Sequence, residues 1–476
     1  MSTFGGLGIA YSGLQAARAA LDVTGQNITN AGTSGYTRQN LTTIAAGAPA
    51  HATLFTVPAT SGGQGVTITG VGRIGDLFLD GAVRNAASQS GYAGVQAGAL
   101  TSLEQSFNEP GDNGISSQLH TFWASWQDLA NRPGDPATGS VVIQNAGVLA
   151  STIATGYKAA DAAWTNTRSQ INGLATELNS TADQVAVLNR TIRSTVAAGG
   201  NANDLIDQRA QLTATIAQIA GGKVVDRGDG TVDVTVGGNL LVTGTDANHV
   251  QVTGATTLVG AAASPVQLEW AQRPGQSVGL DSGELAGGLA LVASANATGT
   301  GGPLAETAAS YNQLATSLAT QVNAIHSAAA TTDGRTGLDF FALAAGGPAA
   351  LSLSVVPTSA ADIAVGKPGA GALDGSAADA LSQIGTAAGS PDSIWMNVVT
   401  TIGAQAKTAI QQSTLADGAL KTATSNQASV ESVDLDEENM NMLSQQKSYQ
   451  AAARVMTAVD DMLDTLINKT GLVGRS

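Results

Sequence analysis

Four histidines and no cysteine make up the chain's stock of soft metal ligands and thiol nucleophiles. His51, His120, His249 and His326 are scattered, with no second histidine or glutamate at the helical spacing a zinc site needs. They read as ordinary surface or core histidines. Without cysteine there is no disulfide, no thiolate chemistry and no Cys-ligated metal. No Gly-x-Ser-x-Gly elbow or phosphate-binding Gly-rich loop is present, and the glycines near the start follow no strand that could make them a phosphate cradle. Two acidic features remain. Asp434, Asp436, Glu437 and Glu438 suggest a cation site, but Asp434 with Glu437 three residues on is a variant capping box, and acids in a first turn complement the helix dipole. Arg227-Gly228-Asp229 spells an adhesion tripeptide, yet Asp229-Gly230 is explained more simply as a hairpin turn. The residues predict no catalytic centre, no cofactor and no metal.

The strongest pattern lies instead at the two ends. Leu7, Leu14, Leu21 and Ile28 recur every seven residues, with Tyr11 on the same face. Leu435, Met442, Tyr449, Met456 and Leu463 repeat the pattern at the other end, and Ala452, Val459 and Leu466 form a second row there. A seven-residue apolar repeat keeps one seam of a helix facing a partner helix. The two ends are therefore expected to pair as a coiled coil and then to meet other subunits. Residues 1–40 carry Arg18 and Arg38 against Asp22, whereas 433–476 carry seven acids against four bases, so the net signs are opposite. Exposed charges would contribute little to that pairing.

Composition bounds the rest. The 476 residues are 43% hydrophobic but only 4% aromatic and 12% charged, with 58 glycines. Such a chain favours thin Ala-rich helices and Gly-punctuated strands over one large aromatic core. A net charge of −15 without a basic stripe argues against nucleic acid as a partner. No run of about eighteen uncharged, strongly apolar residues stands out, so no membrane span is expected. The N-terminus lacks a basic region followed by an apolar core, and no cleavable secretory signal is expected.

Along the chain, helical periodicity covers about 3–30, 76–108, 115–130, 138–198, 203–220, 303–330 and 392–430, before the terminal heptads. Phe122, Trp123 and Trp126 share helical spacing and should pack a core. Asn131 to Pro136, with prolines at 133 and 136, must break a helix. Residues 36–80 look extended. The alternating stretch Lys223–Val236 reads as a hairpin, and β-type sequence continues to about 280. Within the Gly/Ala/Pro-rich 331–390, one strand is expected at Leu351–Val356. The predicted fold is mainly α with a β-rich insertion, nested so that termini pair, a long helical bundle follows and the β part lies outermost. The domains would be 1–35 with 433–476, 36–222 with 301–432, and 223–300.

Several segments carry a family resemblance. Ser12-Gly13-Leu14-Gln15-Ala16-Ala17, Gly25-Gln26-Asn27-Ile28-Thr29-Asn30 and Gly35-Tyr36-Thr37-Arg38-Gln39 resemble the N-terminal signature of flagellar rod, hook and junction proteins. Val433-Asp434-Leu435-Asp436-Glu437-Glu438 and Gln446 to Arg454 resemble their C-terminal signature. The interior segments Leu129–Pro136, Asn203–Arg209, Tyr311–Leu314 and Gly337–Phe341 are similar to the hook-associated protein 1 family, the first layer of the hook–filament junction. The resemblance implies a structural protein exported through the flagellar type III channel. Its implied partners are the hook protein below, the second junction protein (hook-associated protein 3) above, further copies in a ring, and a cytoplasmic export chaperone on the C-terminal helix. Leu7, Tyr11, Leu14, Leu21, Ile28, Leu435, Met442, Tyr449, Met456, Val459, Leu463 and Leu466 are the expected subunit contacts. A rod or hook protein of the same axial family is the nearest alternative. It would lack the 203–220 helix and the proline segment at 131–136. A secreted coiled-coil adhesin or hydrolase would need sugar-binding aromatics or a catalytic constellation.

Overall fold

The computed structural model describes residues 3–47 and 63–469. His51 lies outside them. The chain begins with α1 (Thr3–Asn30), a hairpin of β1 (Gln39–Ala45) and β2 (Val66–Arg73), and four helices: α2 (Leu77–Ser106), α3 (Ile115–Asn131), α4 (Pro136–Ala197) and α5 (Asn203–Ala220). Seven short strands follow: β3 (Lys223–Asp226), β4 (Val232–Val236), β5 (Asn239–Thr243), β6 (Asp246–Ala247), β7 (Val250–Thr253), β8 (Gln267–Trp270) and β9 (Arg273–Ser277). Next come α6 (Gly283–Val292) and α7 (Pro303–His326), then β10 (Ala330–Thr331), β11 (Phe341–Ala342), α8 (Ala349–Ser352), β12 (Ser354–Val355), β13 (Ala364–Gly366) and α9 (Ser376–Ser382). Two long helices, α10 (Pro391–Glu431) and α11 (Leu435–Asp464), end the regular structure, with a π-turn at Thr465–Lys469.

Local chemistry sets the helix boundaries. Asp76 caps α2 by accepting from the N–H groups of Phe78 (2.8 Å) and Leu79 (3.3 Å). Asp135 caps α4, with Pro136 at its first position where no N–H is needed. Ser390 and Pro391 repeat that device on α10. Gly221, left-handed at φ 73°, stops α5. Gly237 and Gly238, both at positive φ, make the two-residue turn between β4 and β5.

The helices pack pairwise: α1 with α11, α2 with α10, and α4 with α3, α5 and α7. All strand pairs are antiparallel, in a four-stranded sheet (β3-β4-β5-β6), a three-stranded sheet (β7-β8-β9) and three two-stranded pairs. One continuous core joins the helices to the larger sheets, from Leu100 through Val234 and Leu268 to Ala409. Asn189 and Asn179 of α4 hold the sheets by side-chain bonds to the backbone of Val232 and Val250. Phe122, Trp123 and Trp126 are buried as the periodicity predicts; Phe122 and Trp126 pack on Phe340, and Phe122 also meets Phe341 and Trp123. Phe107, Tyr311 and Trp395 form a second aromatic group.

Three sequence expectations change. The strand expected at Leu351–Val356 shrinks to Ser354–Val355, because Ala349–Ser352 closes a helical turn that Asn312 holds through the Ala350 N–H (3.0 Å). The span given to the β-rich part, 223–300, contains α6, whose Leu285, Leu291 and Val292 are fully buried in the helical core. The 223–236 hairpin forms, but its loop is the five-residue Arg227–Thr231 rather than a tight Asp-Gly turn. There Asp226 accepts from the Gly228 N–H and Asp229 from the Thr231 N–H and hydroxyl, while Arg227 pairs with Asp233. Among the described residues one helix, α4, has an eighteen-residue window apolar enough to cross a membrane by length and composition. Its buried residues, such as Val142, Leu149, Ile153, Ala160, Trp164 and Ile171, recur at helical spacing, as in a core helix.

Candidate assembly site: the terminal helix pair and its polar knot

The α1–α11 seam is built from small residues. A Cβ added to Gly6 would lie 3.7 Å from Val459 Cγ2, and one added to Gly13 3.9 Å from Ala452 Cβ. Ala10, Ala17, Val23 and Thr24 are the buried neighbours on α1, and Val459 is the buried apolar residue of α11. This corrects the heptad reading. Leu7, Leu14, Leu21 and Ile28 are only half-buried. Met442, Met456 and Leu463 are likewise half-buried, while Tyr11 (54% exposed), Leu435 (49%), Tyr449 (38%) and Leu466 (56%) face outward. Of the expected contacts, Val459, in the second row, is the one that fills the seam. The physical reason is backbone approach: glycine and alanine rows let the two helices close, and large side chains are pushed to the flanks. Met440, Leu443 and Met462 add to the exposed apolar surface of α11, and Ile467 to that of the π-turn that follows it.

At the inner end the pair is tied to the body by a polar knot. Asn27 Nδ2 donates to Gln39 O (2.8 Å) and Glu438 Oε2 (3.1 Å), while its Oδ1 accepts from the Tyr36 hydroxyl (2.9 Å) and Gln39 N–H (3.0 Å). All four hydrogen-bonding positions of this buried amide are used. Arg38 forks onto Glu437 and Glu438, with Nη2 at 2.8 Å from an oxygen of each. Glu438 is 2% exposed, so its charge depends on that guanidinium and on Asn27. The capping-box expectation is half right. Asp434 does cap α11 through the Asp436 and Glu437 N–H groups, but the Glu437 carboxylate reaches Arg38 instead of turning back on the cap. The cation these acids hold is an arginine.

The knot extends into α5 and α10. Arg73 Nε donates to Asp207 Oδ1 at 2.7 Å, and Asp207 Oδ2 accepts from the Thr37 N–H at 3.1 Å. Asn203 bonds Gln39 Oε1 and Val71 O. Glu431, the last residue of α10, accepts from the Asp76 N–H at 2.8 Å, and its carbonyl accepts from the Arg38 N–H at 2.8 Å. Burial, then the negative charges of Asp204, Asp207 and Glu438, push the Tyr36 phenol up to about 12, so it stays a donor. Burial also raises the Glu431 carboxyl, and the hydrogen bond to Glu437 raises the Arg38 guanidinium. Of three segments quoted from the sequence for the family resemblance, 203–209 and 433–438 thus each bond to the third, 35–39. Sequence reasoning missed Asn27, Arg38, Asp207, Glu431 and Glu438 as a unit. Their order was visible, their contact was not.

The histidines act as structure. His326 is fully buried, with Nδ1 2.7 Å from Leu338 O and Nε2 accepting from the Ala364 N–H at 2.9 Å. His249 pairs with Asp183 at 2.9 Å, and His120 is exposed.

The ends of the chain match descriptions shared by axial flagellar proteins: residues 7–37 match the flagella basal body rod protein family and 429–469 the C-terminal region of flagellar basal body rod FlgEFG proteins. The class is therefore that of proteins built into the flagellar axis. Residues 100–341 match the helical domain of the flagellar hook-associated protein FlgK. The chain belongs to the FlgK family, structural hook-associated proteins of the bacterial flagellum at the hook–filament junction. It is 29% identical to flagellar hook-associated protein 1 of Bacillus subtilis over the whole of both chains. It is 31% identical to the Salmonella typhimurium protein of that name over 70% of this chain and 58% of the relative, and 30% identical to the Escherichia coli one over 75% and 62%. Its fold is similar to the flagellar hook junction protein FlgK from Burkholderia pseudomallei, with TM-score 0.64 and 16% identity, over 73% of this chain and 99% of the other.

Proposed function

We propose that the terminal pair is the surface through which this chain enters a multi-copy assembly, with a structural and not a catalytic role. The subunit passes unfolded through the flagellar type III channel to the extracellular tip of the growing organelle. There α1 and α11 order against hook subunits below and neighbouring copies in a ring, and present a surface to the second junction protein above. Before export, a cytoplasmic chaperone covers the apolar face of α11. The architecture is nested: terminal pair innermost, long helices next, and the strands of 223–278 outermost.

The observation that carries this reading is the direction of the large apolar side chains. Tyr11, Leu435, Met440, Leu443, Met462 and Ile467 are 49–71% exposed, yet they belong to helices whose own seam is already filled by small residues. Exposed apolar rows of this length mark a protein interface. Helices that bury so little against each other are marginal when isolated and gain order from neighbours. Deleting 433–476 tests the reading. The truncated protein should fail to cap hook tips and to support filament growth, and normal filaments from it would refute the proposal.

A further inference from the structure

The geometry points to a positioning role for Asn27, Arg38 and Glu438: they set the register of the terminal helix pair, which its apolar seam leaves nearly undetermined. Asn27 faces Glu438, Gly13 faces Ala452, and Gly6 faces Val459. The steps along α1 are fourteen and seven residues, matched by equal steps in the opposite direction along α11, so the helices run antiparallel in heptad multiples. Ala20 and Gln445, at the intervening step, line one groove of about 390 Å³ between α1, β1 and α11.

Such a seam discriminates poorly between registers. Shifted by one heptad, about 10 Å, Gly6, Gly13 and Ala20 would still meet small or flexible residues of the same row, at nearly the same steric cost. The polar end does not tolerate the shift. In one direction Glu438 would face Ala20 in place of Asn27, with its carboxylate beyond reach of both the amide and Arg38; in the other it would lie past Asn30, the end of α1, and Asn27 would face Gln445 in its place. A buried charge stripped of its partners is far costlier than a lost methyl contact. A polar group whose partners are met in one register alone is the established way to single that register out. Arg38 is itself placed by backbone, through its N–H to Glu431 O (2.8 Å) and its carbonyl to the Ile74 N–H (2.8 Å). The clamp therefore refers the register of the pair to the helical body.

The chain has no native cysteine, so engineered pairs report register directly. In full-length protein bound to isolated hooks, where the terminal helices are ordered, Gly13→Cys with Ala452→Cys reads the observed register, since 3.9 Å between Cβ positions suits a disulfide. Gly6→Cys or Ala20→Cys with Ala452→Cys reads a one-heptad slip in either direction. With the clamp intact, only the first pair should oxidise. Adding Asn27→Leu and Glu438→Leu, which keeps the seam apolar and leaves Arg38 its Glu437 partner, should let slipped products appear and lower the in-register ratio by about tenfold or more. Glu438→Gln, which still bonds Asn27, should keep the single register. Exclusive in-register cross-linking in the leucine variant would overturn the inference, because the linkers would then set the register. Loss of every cross-link, in either background, would overturn it too.

Discussion

His326 shows how one side chain can make stability depend on pH. Burial holds its imidazolium pKa below the usual value, because Nε2 must stay unprotonated to accept from Ala364. An unfolded histidine titrates near about 6.5, so at lower pH the unfolded chain binds the extra proton first. The stabilisation from neutral His326 is complete above that value and is lost as pH falls through it toward the lower folded pKa. Urea midpoints between pH 8 and 5 should decline, and the decline should be shallower in His326→Gln. The raised carboxyls of Asp392 and Glu431 act with the opposite sign, so the difference between the two proteins is the quantity to read. Gly156 is a steric counterpart. A Cβ there would lie 2.3 Å from the Tyr311 ring, at the crossing of α4 and α7. Gly156→Ala should cost about 1–3 kcal/mol or more by overpacking, visible as a lower denaturation midpoint.

The elements are held in place by contacts that cross long stretches of sequence. Asp207, in α5, serves the chain segment after α1: it accepts from the Thr37 N–H and pairs with Arg73 of β2. Asp207→Ala leaves a half-buried guanidinium and a buried N–H without their carboxylate, a loss on the order of 3–5 kcal/mol. Hydrogen exchange should rise at 36–45 and 66–74, with little change in α3 or α7. If exchange rises uniformly instead, the knot is part of the global core. At the start of α4, Asp135→Ala removes a cap and should cost about 1 kcal/mol, readable in the same melting experiment.

For the molecule as a whole, the main core cluster contains, among the described residues, none of α1 or α11. All five tryptophans, at 123, 126, 164, 270 and 395, sit between the ends. The helical body with its sheets should therefore fold without the termini. A protein lacking 433–476 is expected to keep its tryptophan-monitored melting midpoint within about 2–4 °C of the full chain, while its assembly fails. A large drop would mean that the terminal pair stabilises the body, contrary to the separation of their cores.

What the sequence determined alone was the local grammar. Helix spans follow from apolar periodicity and from caps such as Asp135-Pro136 and Ser390-Pro391, which act within a turn of where they stand. The β-hairpin at 223–236 and the core role of Phe122, Trp123 and Trp126 follow for the same reason, and the end motifs were sufficient to point to the axial flagellar class. Tertiary structure decided what faces what. A heptad marks a seam but not which of two neighbouring rows closes it, and here the glycine and alanine row won because it lets backbones approach. Nor could spacing along the chain show that Glu438 meets Asn27, or that Asp207 serves Thr37. Those contacts join residues 411 and 170 positions apart, and only folding brings them within a hydrogen bond.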